Sequence, residues 1–546
     1  MKIHYTLLTL ILFFLVTTAR SQNSNAFEIA KNLEIYADVF RQLNNNYVDE
    51  IKPGELSKAA IDALLKTLDP YTVYKSESEI EDFRFMTTGQ YGGIGALIQQ
   101  QGEYVVISEP YKGFPADKAG LKAGDKIASI DGHPTKNRTS DEVSEMLKGE
   151  PGTNFEIKVI RYGAEKALPF TITREKIQIN DIPYYGVTEE NIGYINLNSF
   201  TQHAALHVKK AFLELKNNHE LEGIILDLRG NGGGLLNEAV EIVNLWVDKG
   251  ELIVSTKGRL PEKNKDYYTQ SHVLDADIPL VVLVNGASAS ASEIVAGAIQ
   301  DLDRGIVLGT KTFGKGLVQN IVPLNYNSQI KITVAKYYIP SGRCIQAIDY
   351  ANKENGQNGQ IPDSLLTAFK TRAGRIVYDG GGVSPDIISD DRILHDITIN
   401  LLSKNLIFDF CTQWYWENGA IEEPETFTVT DAMYAAFKDF LALRNFEYQT
   451  ESEAIVSELL KTSQQDEYYE AIKDDLTALQ QALAVDKKND LDKFREEIAE
   501  FIRLELVPRY HYQEGMLRAN LVHDPEIKSA ISILRDQARY QQVLQP

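Results

Sequence analysis

Residues 280–302, LVVLVNGASASASEIVAGAIQDL, decide the fold of the central part of the chain. The stretch opens with five consecutive apolar residues, a pattern typical of a strand that is buried on both faces of a sheet. After a turn of small residues, the apolar positions recur at helical spacing, which predicts a helix over residues 290–302. A buried strand that leads into a helix is the repeating unit of an α/β core.

The same alternation surrounds this stretch. Residues 192–197, 223–228 and 306–308 are further apolar runs, and a helix with one apolar face lies between the first two. That face holds Ala204, Ala205, Val208, Ala211, Phe212 and Leu215. We therefore predict an α/β core over residues 179–390.

Residues 87–178 have a different pattern, in which glycines separate short strands. TTGQYGGIG (87–95) opens the region, and PADKAGLKAGDKIASIDG (115–132) adds turn residues, a short helix and a strand. This order resembles a PDZ domain of the bacterial, circularly permuted kind. The resemblance implies that an extended peptide adds to the domain as a strand. The peptide strand is expected to lie beside Gly95 to Gln99, and the backbone N–H groups of Gly92, Gly93 and Ile94 are expected to receive its terminal carboxylate.

Helical regions flank these two domains. Residues 25–86 carry apolar residues at three- and four-residue spacing as far as Asp69-Pro70, where the pattern stops. Residues 391–546 are mostly helical and acidic, and they contain no motif that indicates chemistry. The predicted class is thus multidomain α+β, with a helical N-terminal region, a PDZ domain, an α/β core and a C-terminal helical region.

The N-terminal 21 residues predict a secretory signal peptide. A basic start precedes an apolar run over residues 7–16, and small residues stand at Ala19 and Ser21 before the expected cleavage site. An uncleaved membrane anchor is the alternative, because Arg20 is unusual so close to a cleavage site. We therefore expect secretion across the inner membrane and a periplasmic location, with membrane anchoring if the leader remains.

Composition excludes several classes of protein. The 43% hydrophobic and 24% charged fractions are those of ordinary globular domains, so neither disorder nor a fibrous fold is expected. A formal charge of -21 repels phosphate backbones, so nucleic acid is not expected as a partner. Cys344 and Cys411 are the only cysteines, and whether they pair is open.

Ser290 has two interpretations. A turn between a buried strand and a helix can hold out a nucleophilic hydroxyl beside the amides of the helix N-terminus. Ser290 and Glu293 also have the Ser-x-x-Glu spacing of a capping box, in which the serine only closes a helix end. On this local pattern alone the cap is the commoner outcome.

GTKTFGKGLVQ (309–319) nearly matches a phosphate-binding loop. Gly309, Gly314 and Lys315 are in place, but Gly316 stands where Ser or Thr must ligate magnesium. The following residues also look extended, whereas a phosphate loop leads into a helix. We therefore predict no nucleotide site.

Together with DLRGNGGG (227–234), these motifs resemble those of the C-terminal processing peptidases, also called tail-specific proteases. The likeness runs from about Asn32 to Asp386 and includes YDGGGVSPD (378–386). It implies a crotonase-like peptidase core with Ser290 as nucleophile and Lys315, twenty-five positions later, as base. This spacing selects Ser290 over Ser288 and Ser292, and Lys315 over Lys311. The family's assisting glutamine falls on Gln319.

The implied mechanism makes physical demands on its residues. A free lysine is protonated at neutral pH, so Lys315 can accept a proton only if a dry pocket lowers its pKa. Phe313, Leu317 and Val318 are the apolar neighbours expected to provide that pocket. For the oxyanion, the N–H of Ala291 is the natural donor, and the resemblance points to Gly233 as the second. Gly232 and Gly234 remain alternatives to Gly233, and a merely flexible turn is an equal interpretation.

The sequence thus predicts a serine endopeptidase that processes or degrades proteins from their C-terminal ends and needs no cofactor. The alternative is a catalytically silent PDZ scaffold that binds protein C-termini. Expected partners are protein or peptide substrates, and a homo-oligomer or an adaptor protein is left open. His203 and His207, four apart on a helix, lack a third ligand, so no metal site is predicted.

Overall fold

The computed structural model describes residues 26–77, 88–354, 357–360, 364, 366–389, 394–466 and 468–546. The predicted signal peptide at 1–21 lies outside the described residues, as do the ends of the helical and PDZ regions predicted to meet at 86 and 87. The chain divides into two units, residues 1–76 with 321–333, and residues 77–320 with 334–546.

The first unit contains helices α1 (26–46) and α2 (Pro53–Lys66) and strand β1 (Val73–Lys75). Strand β1 pairs antiparallel with residues 329–331. The predicted helices are thus present, with Pro53 at the first position of α2, where its missing N–H costs nothing. The apolar residues of α1 lie exposed, however: Leu33 is 63% exposed and Val39 is 53% exposed.

The PDZ domain lies in the second unit. Its strands are β2 (Gln90–Gly93), β3 (Ala96–Gln101), β4 (Tyr104–Pro110), β5 (Lys126–Ile130), β6 (His133–Pro134), β7 (Asn154–Ile160), β8 (Leu168–Thr173) and β9 (Glu175–Gln178), and its helices are α3 (Pro115–Lys118) and α4 (Ser140–Leu147). The sheet order is β3-β4-β5-β7-β8, with β6 on β5, and β2 pairs separately with β9. Strand β3 is therefore an edge strand, with one side unpaired within this sheet.

The α/β core follows. Its elements are β10 (Tyr184–Val187), β11 (Ile192–Asn196), α5 (Ala204–Asn218), β12 (Gly223–Asp227), α6 (Leu236–Val243), β13 (Leu252–Gly258), β14 (Lys265–Tyr268), β15 (Leu280–Val284), α7 (Ala291–Asp301), β16 (Ile306–Gly309), β17 (Leu317–Pro323), β18 (Gln329–Tyr338), β19 (Ile348–Glu354), β20 (Gln357–Gln360), β21 (Ala368–Lys370), β22 (Ile376–Tyr378) and β23 (Ile387–Ile388). The main sheet has the order β10-β11-β12-β15-β16-β23, and every neighbouring pair from β11 to β23 is parallel. The predicted strand at 280–284 and the predicted helix after it are both confirmed.

Both faces of this sheet are covered, which explains the uninterrupted apolar runs. One face packs against α5, α6 and α7, and the buried face of α5 consists of the six residues predicted for it. Strand β12 shows the alternation, since Ile224 and Leu226 belong to this cluster while Ile225 belongs to the other face.

The C-terminal region is helical, as predicted. Its helices are α8 (Asp396–Ser403), α9 (Leu406–Glu417), α10 (Asp431–Leu443), α11 (Glu451–Gln465), α12 (Tyr469–Lys487), α13 (Asp490–Lys493), α14 (Arg495–His523), α15 (Pro525–Arg535) and α16 (Gln537–Val543). No helix within the described residues has both the length and the apolar character needed to cross a bilayer. Cys344 and Cys411 are free thiols.

Helices α15 and α16 cover the second face of the main sheet. Ile527, Ile533 and Leu534 are fully buried there against strand residues such as Ile225 and Val281. The Tyr540 hydroxyl bonds the backbone of Leu280 through both its N–H (2.9 Å) and its carbonyl oxygen (3.1 Å). These helices therefore complete the core of the α/β domain rather than forming a separate module.

Helix α14 packs against the PDZ domain and buries a carboxylate there. Glu109 on β4 accepts from the backbone of Gln513, and its Oε1 is buried without a partner among the described residues. Desolvation by burial raises the pKa of Glu109 from its ordinary 4.5 to about 6, with Glu505 adding to the rise while the Gln513 N–H and Arg509 oppose it. The ionised form is thus disfavoured in the folded protein.

This burial predicts a pH-dependent stability. As the pH rises from about 4.5 to 6, Glu109 ionises in the unfolded chain before it ionises in the folded chain. The contribution of Glu109 to the unfolding free energy therefore falls over this pH range. We expect Glu109→Gln to raise the unfolding free energy at pH 7 by about 2 kcal/mol and to leave it unchanged at pH 4. Thermal unfolding midpoints at both pH values test this, with exposed Glu165→Gln as the control. Equal midpoints for wild type and Glu109→Gln at pH 7 would contradict it.

Candidate active site

Three loops follow the carboxyl ends of adjacent parallel strands. Strand β12 leads into the glycine turn (residues 227–234), β15 leads into the serine turn (residues 285–290), and β16 leads into the lysine loop (residues 310–316). Because β12, β15 and β16 are neighbours in that order, the three loops emerge side by side at one edge of the sheet. The fold thereby brings together three motifs whose outermost members, such as Gly233 and Lys315, are 82 positions apart.

The serine turn has an unusual backbone at Ser290. This residue has φ 57° and ψ -111°, whereas the ordinary N-cap Thr139 of α4 has the extended values -73° and 161°. A non-glycine residue in such a conformation is strained, and strain of this kind concentrates at functional sites. A sharp strand-to-helix turn is also the geometry that holds out a nucleophilic serine.

The two flanking serines have structural partners. The Ser288 hydroxyl donates to the Leu228 carbonyl at 2.8 Å, and the Ser292 hydroxyl donates to the Asn231 carbonyl at 2.8 Å. Both side chains are fully buried, while Ser290 is half-buried. Ser288 and Ser292 therefore connect the serine turn to the glycine turn, and Ser290 is the most accessible of the three serines.

The lysine loop is held by close backbone packing. Gly314 has φ 85°, and a Cβ there would lie 2.4 Å from the Cβ of Ala347, so only glycine fits. The Gly316 N–H donates to Gln346 Oε1 at 2.8 Å. After Lys315 the chain enters strand β17 and not a helix, as predicted, so no helix N-terminus is available to a phosphate.

The lysine loop supplies only part of the dry apolar pocket that is expected around Lys315. Leu317 is buried, and Val318 and Gln319 are half-buried on β17, but Phe313 is 49% exposed. The expectation that Phe313 helps to form a dry pocket is not met in this conformation. Its N–H instead donates to the Ser288 carbonyl at 3.1 Å, which ties the lysine loop directly to the serine turn.

Glu293 makes the strongest connection between the two loops. Its Oε2 accepts from the N–H of Ser290 (2.7 Å) and of Lys315 (2.9 Å), so the capping contact exists but is shared. Its Oε1 accepts from the Thr312 hydroxyl (2.6 Å) and the Gly314 N–H (2.7 Å). The side chain is 0% exposed. Burial raises the pKa of Glu293, and these four donors oppose that rise.

Tyr337 connects the same two loops from the opposite side. Its hydroxyl contacts the carbonyl oxygens of Ser290, at 3.1 Å, and of Lys315. The ring is 1% exposed, so its position is fixed by packing. Glu293 therefore bonds the amides of Ser290 and Lys315, and Tyr337 bonds their carbonyl groups.

Replacing Glu293 with Gln should weaken the connection between the two loops. A glutamine amide has one acceptor oxygen where the carboxylate has two, so its NH₂ group would face at least one N–H donor. We expect kcat to fall by about 10² and the protein to lose about 2 kcal/mol of stability. Steady-state kinetics and thermal unfolding measure the two effects. An active Glu293→Gln variant would mean that Glu293 serves only as a cap.

The glycine turn packs directly against Ser290. A Cβ on Gly233 would lie 2.8 Å from the Cβ of Ser290 and 2.9 Å from the Ala291 nitrogen. The Gly233 N–H donates to Asn231 Oδ1 at 2.9 Å. Gly233 is thus adjacent to Ser290, as the predicted oxyanion donor must be, but its N–H donates to Asn231 in this conformation. Ala291 is the first residue of α7, where amides lack helical partners.

Comparison with known proteins adds the decisive observation. A PDZ domain matches residues 106–161, peptidase family S41 matches residues 191–352, and the C-terminal helical domain of a probable PDZ-protease matches residues 397–534. The carboxy-terminal-processing protease of Bartonella bacilliformis is 36% identical over 336 residues, which cover 61% of this chain and 76% of that protein. The chain belongs to the carboxy-terminal-processing protease family.

Further relatives agree. A probable CtpA-like serine protease of Staphylococcus aureus is 36% identical over 320 residues, which cover 58% of this protease and 62% of that protein. Among solved structures, the photosystem II D1 C-terminal processing protease is 29% identical, covering 66% of this chain and 93% of that chain with a TM-score of 0.37. Because the chain belongs to the carboxy-terminal-processing protease family and contains the S41 peptidase region, it is a serine-type peptidase for C-terminal protein processing.

The PDZ domain of this protease has an open groove between β3 and α4. Its volume is about 290 Å³. The groove is lined mainly by apolar and small residues: Tyr91, Gly93, Ile94, Ala96, Leu97, Ile98, Tyr111, Ser144, Leu147, Lys148 and Ile179. Of the four positions predicted to bind the peptide, Gly93 and Ile94 line the groove, whereas Gly92 packs against the Gly149 carbonyl oxygen and Gly95 packs against Phe114.

Several residues of the protease site were not found from the sequence. The sequence indicates Glu293 only as a capping residue, and no motif in it singles out Tyr337 or Asn231. The signal for Asn231 was its place in the glycine turn, where Asn commonly bonds backbone N–H groups. For Tyr337, which reaches the site from β18, the sequence holds no signal.

Proposed function

We propose that this protease cleaves protein chains near their C-terminal ends through an acyl-enzyme, with Ser290 as the nucleophile and Lys315 as the base. The observation that carries this assignment is the pair of bridges made by Glu293 and Tyr337, each of which bonds the backbone of both residues. Such shared anchors fix the backbone of the two residues relative to each other, which supports the alignment that efficient proton transfer requires.

The proposed reaction needs no group beyond this chain and water. The neutral Lys315 amine takes the Ser290 hydroxyl proton while Oγ forms a bond to the scissile carbonyl carbon. The resulting ammonium gives that proton to the leaving amine as the C–N bond breaks, which leaves an acyl-enzyme. Lys315 then takes a proton from a water molecule as the water attacks the ester. As the bond between the acyl carbon and Oγ breaks, the ammonium gives this proton to Oγ, which returns Ser290 to its hydroxyl form. Gln319 is proposed to orient the amine, since an amide does so without the charge of a carboxylate.

The proposed oxyanion donors are the N–H groups of Ala291 and Gly233. Ala291 N lies at the positive end of α7, where developing negative charge is stabilised. The Gly233 N–H must exchange Asn231 Oδ1 for the substrate oxygen. In this proposal the Asn231 side chain keeps the Gly233 N–H hydrogen-bonded when no substrate is bound.

A serine-reactive fluorophosphonate tests the nucleophile assignment directly. The reagent should modify one residue, and peptide mapping by mass spectrometry should locate the adduct on Ser290. The Lys315→Ala variant is the matched control and should react far more slowly. Adducts on Ser288 or Ser292, or equal labelling of both proteins, would refute the assignment.

We further propose that the PDZ groove selects substrates by their terminal carboxylate. C-terminal amidation removes the charge and one acceptor oxygen, so an amidated substrate should show kcat/KM reduced by about tenfold. The values of kcat/KM are compared for two peptides that differ only in this terminal group. Fluorescence anisotropy then measures the affinity of the Ser290→Ala protein for each of the two peptides. Equal affinity for both peptides would mean that the groove recognises internal sequence.

The proposed place of action is the periplasm or the cell exterior. This proposal rests on the leader predicted at residues 1–21. Fractionation of cells producing the full chain, with N-terminal sequencing of the mature protein, tests it, and a cytoplasmic protein starting at Met1 would refute it.

A further inference from the structure

The start of helix α15 reaches the glycine turn of the proteolytic centre. Asp524 is the N-cap of this helix, and its Oδ1 accepts from the N–H groups of Glu526 (2.8 Å) and Ile527 (3.1 Å). Its other oxygen accepts from Arg229 Nη1 at 2.9 Å. Glu526 Oε2 accepts from the same nitrogen at 2.6 Å. Two carboxylates of the C-terminal helical region thus bind one arginine next to the active site.

The other side of Arg229 is bound within its own turn. Asp227 accepts from Arg229 Nε at 3.0 Å and from Nη2 at 2.6 Å, and the Tyr194 hydroxyl donates to Asp227 at 2.8 Å. The Arg229 side chain is only 17% exposed. Charge-assisted bonds of this kind are directional, so the guanidinium is fixed between β12 and α15.

The residues on either side of Arg229 hold the serine turn. The Leu228 carbonyl accepts from the Ser288 hydroxyl, and the Gly230 N–H donates to Asn285 Oδ1 at 3.0 Å. One residue further, the Asn231 carbonyl accepts from the Ala289 N–H at 3.0 Å. A displacement of Arg229 would therefore move both Gly233 and the loop that carries Ser290.

Helix α15 is itself a fixed reference point. Ile527, three residues beyond the N-cap, is fully buried against the main sheet, and so are Ile533 and Leu534 further along. Glu526 is also bonded through its second oxygen to the Ser389 hydroxyl. The two carboxylates are therefore held by packing that does not depend on Arg229.

We propose that Asp524 and Glu526 are positioning residues of the proteolytic centre, acting through Arg229 on the glycine turn and the serine turn. The start of α15 thereby helps to position the proteolytic centre in addition to covering the sheet. This inference rests on the proposed function, because it assigns these residues an effect on chemistry at Ser290.

The test uses Asp524→Asn, Glu526→Gln and the double variant. Asparagine is as good an N-cap as aspartate, so α15 should still begin at the same place. Cleavage of an unstructured peptide is measured as separate kcat and KM values, and unfolding midpoints are recorded. We expect the double variant to lose about tenfold or more in kcat with KM within about twofold, because substrate contacts are retained while the reacting groups are misplaced.

Tyr540→Phe is the matched control. It removes the hydroxyl that bonds Leu280 and so loosens the same docking surface without touching Arg229. It should lower the unfolding midpoint and leave kcat unchanged. The proposal is overturned if the double variant keeps the wild-type kcat, or if Tyr540→Phe loses as much kcat at an equal loss of stability. If the double variant does not fold, the kcat of Glu526→Gln alone is compared with the kcat of wild type and of Tyr540→Phe in the same way. Failure of the proposed function would show differently, as cleavage by Ser290→Ala.

Discussion

Ser290→Ala should abolish proteolysis while leaving the protein folded. Without the Oγ atom no acyl-enzyme can form, and loss of a serine nucleophile typically lowers kcat by about 10³- to 10⁶-fold. Burial at this position is only partial, so the change opens no large cavity in the core. The experiment uses an unfolded protein with a free C-terminus as the substrate. Gel electrophoresis and mass spectrometry monitor its cleavage over hours.

Ser288→Ala provides the comparison for this result. Its hydroxyl donates to the Leu228 carbonyl, so its removal should cost about 1 kcal/mol of stability and only a small part of the rate. Persistent cleavage by Ser290→Ala would exclude Ser290 as nucleophile. A wild-type protein that binds tailed substrates and never cleaves them would instead support the scaffold interpretation.

Lys315→Ala should be nearly as inactive as Ser290→Ala. Nucleophile and base act as one unit, so the loss of either removes most of the same rate enhancement, and the double variant should be little worse than each single one. Lys315→Arg should be equally inactive. An arginine keeps the positive charge and most of the length, but it does not deprotonate in proteins and so cannot serve as a base.

Lys311→Ala is the control for the lysine loop. Lys311 lies four residues earlier in the same loop and is exposed, so its loss should change kcat by less than about threefold. Substantial activity in Lys315→Arg would show that the lysine acts as a cation and not as a base. Kinetic assays of the three variants, with circular dichroism to confirm folding, distinguish these outcomes.

The fold of the core was predictable because its signals are local. The run Leu280–Val284 has to be a strand covered on both faces, and α5 shows its buried side in the spacing of residues such as Val208 and Phe212. The strand after Lys315 was predictable for the same reason, since its residues carry no helical periodicity. Exposure of the apolar residues of α1 was not predictable, because periodicity gives the apolar face and not what covers it.

The candidate site was predictable only in part. Ser290, Lys315 and Gln319 were assigned by the resemblance of their motifs to those of the family, and that assignment stays a prediction. The structure adds the reason why the serine, lysine and glycine motifs meet, namely three adjacent parallel strands. The role of Glu293 depends on bonds to residues 19 to 22 positions away, which no local pattern contains. For the same reason the contact of Asp524 with Arg229, 295 positions apart, left no trace in the sequence.

Because α15 and α16 lie far after the strands that they cover, the second face of the main sheet can be covered only late in synthesis. The strands they cover, from β11 to β16, leave the ribosome more than 200 residues before Ile527 does. Until then one apolar face of the main sheet has no cover, although every residue of the proposed Ser/Lys pair has already been made. The nascent chain therefore carries a peptidase sheet whose second face is closed only when residues 525–543 arrive. Translation itself thus delays assembly of the finished protease.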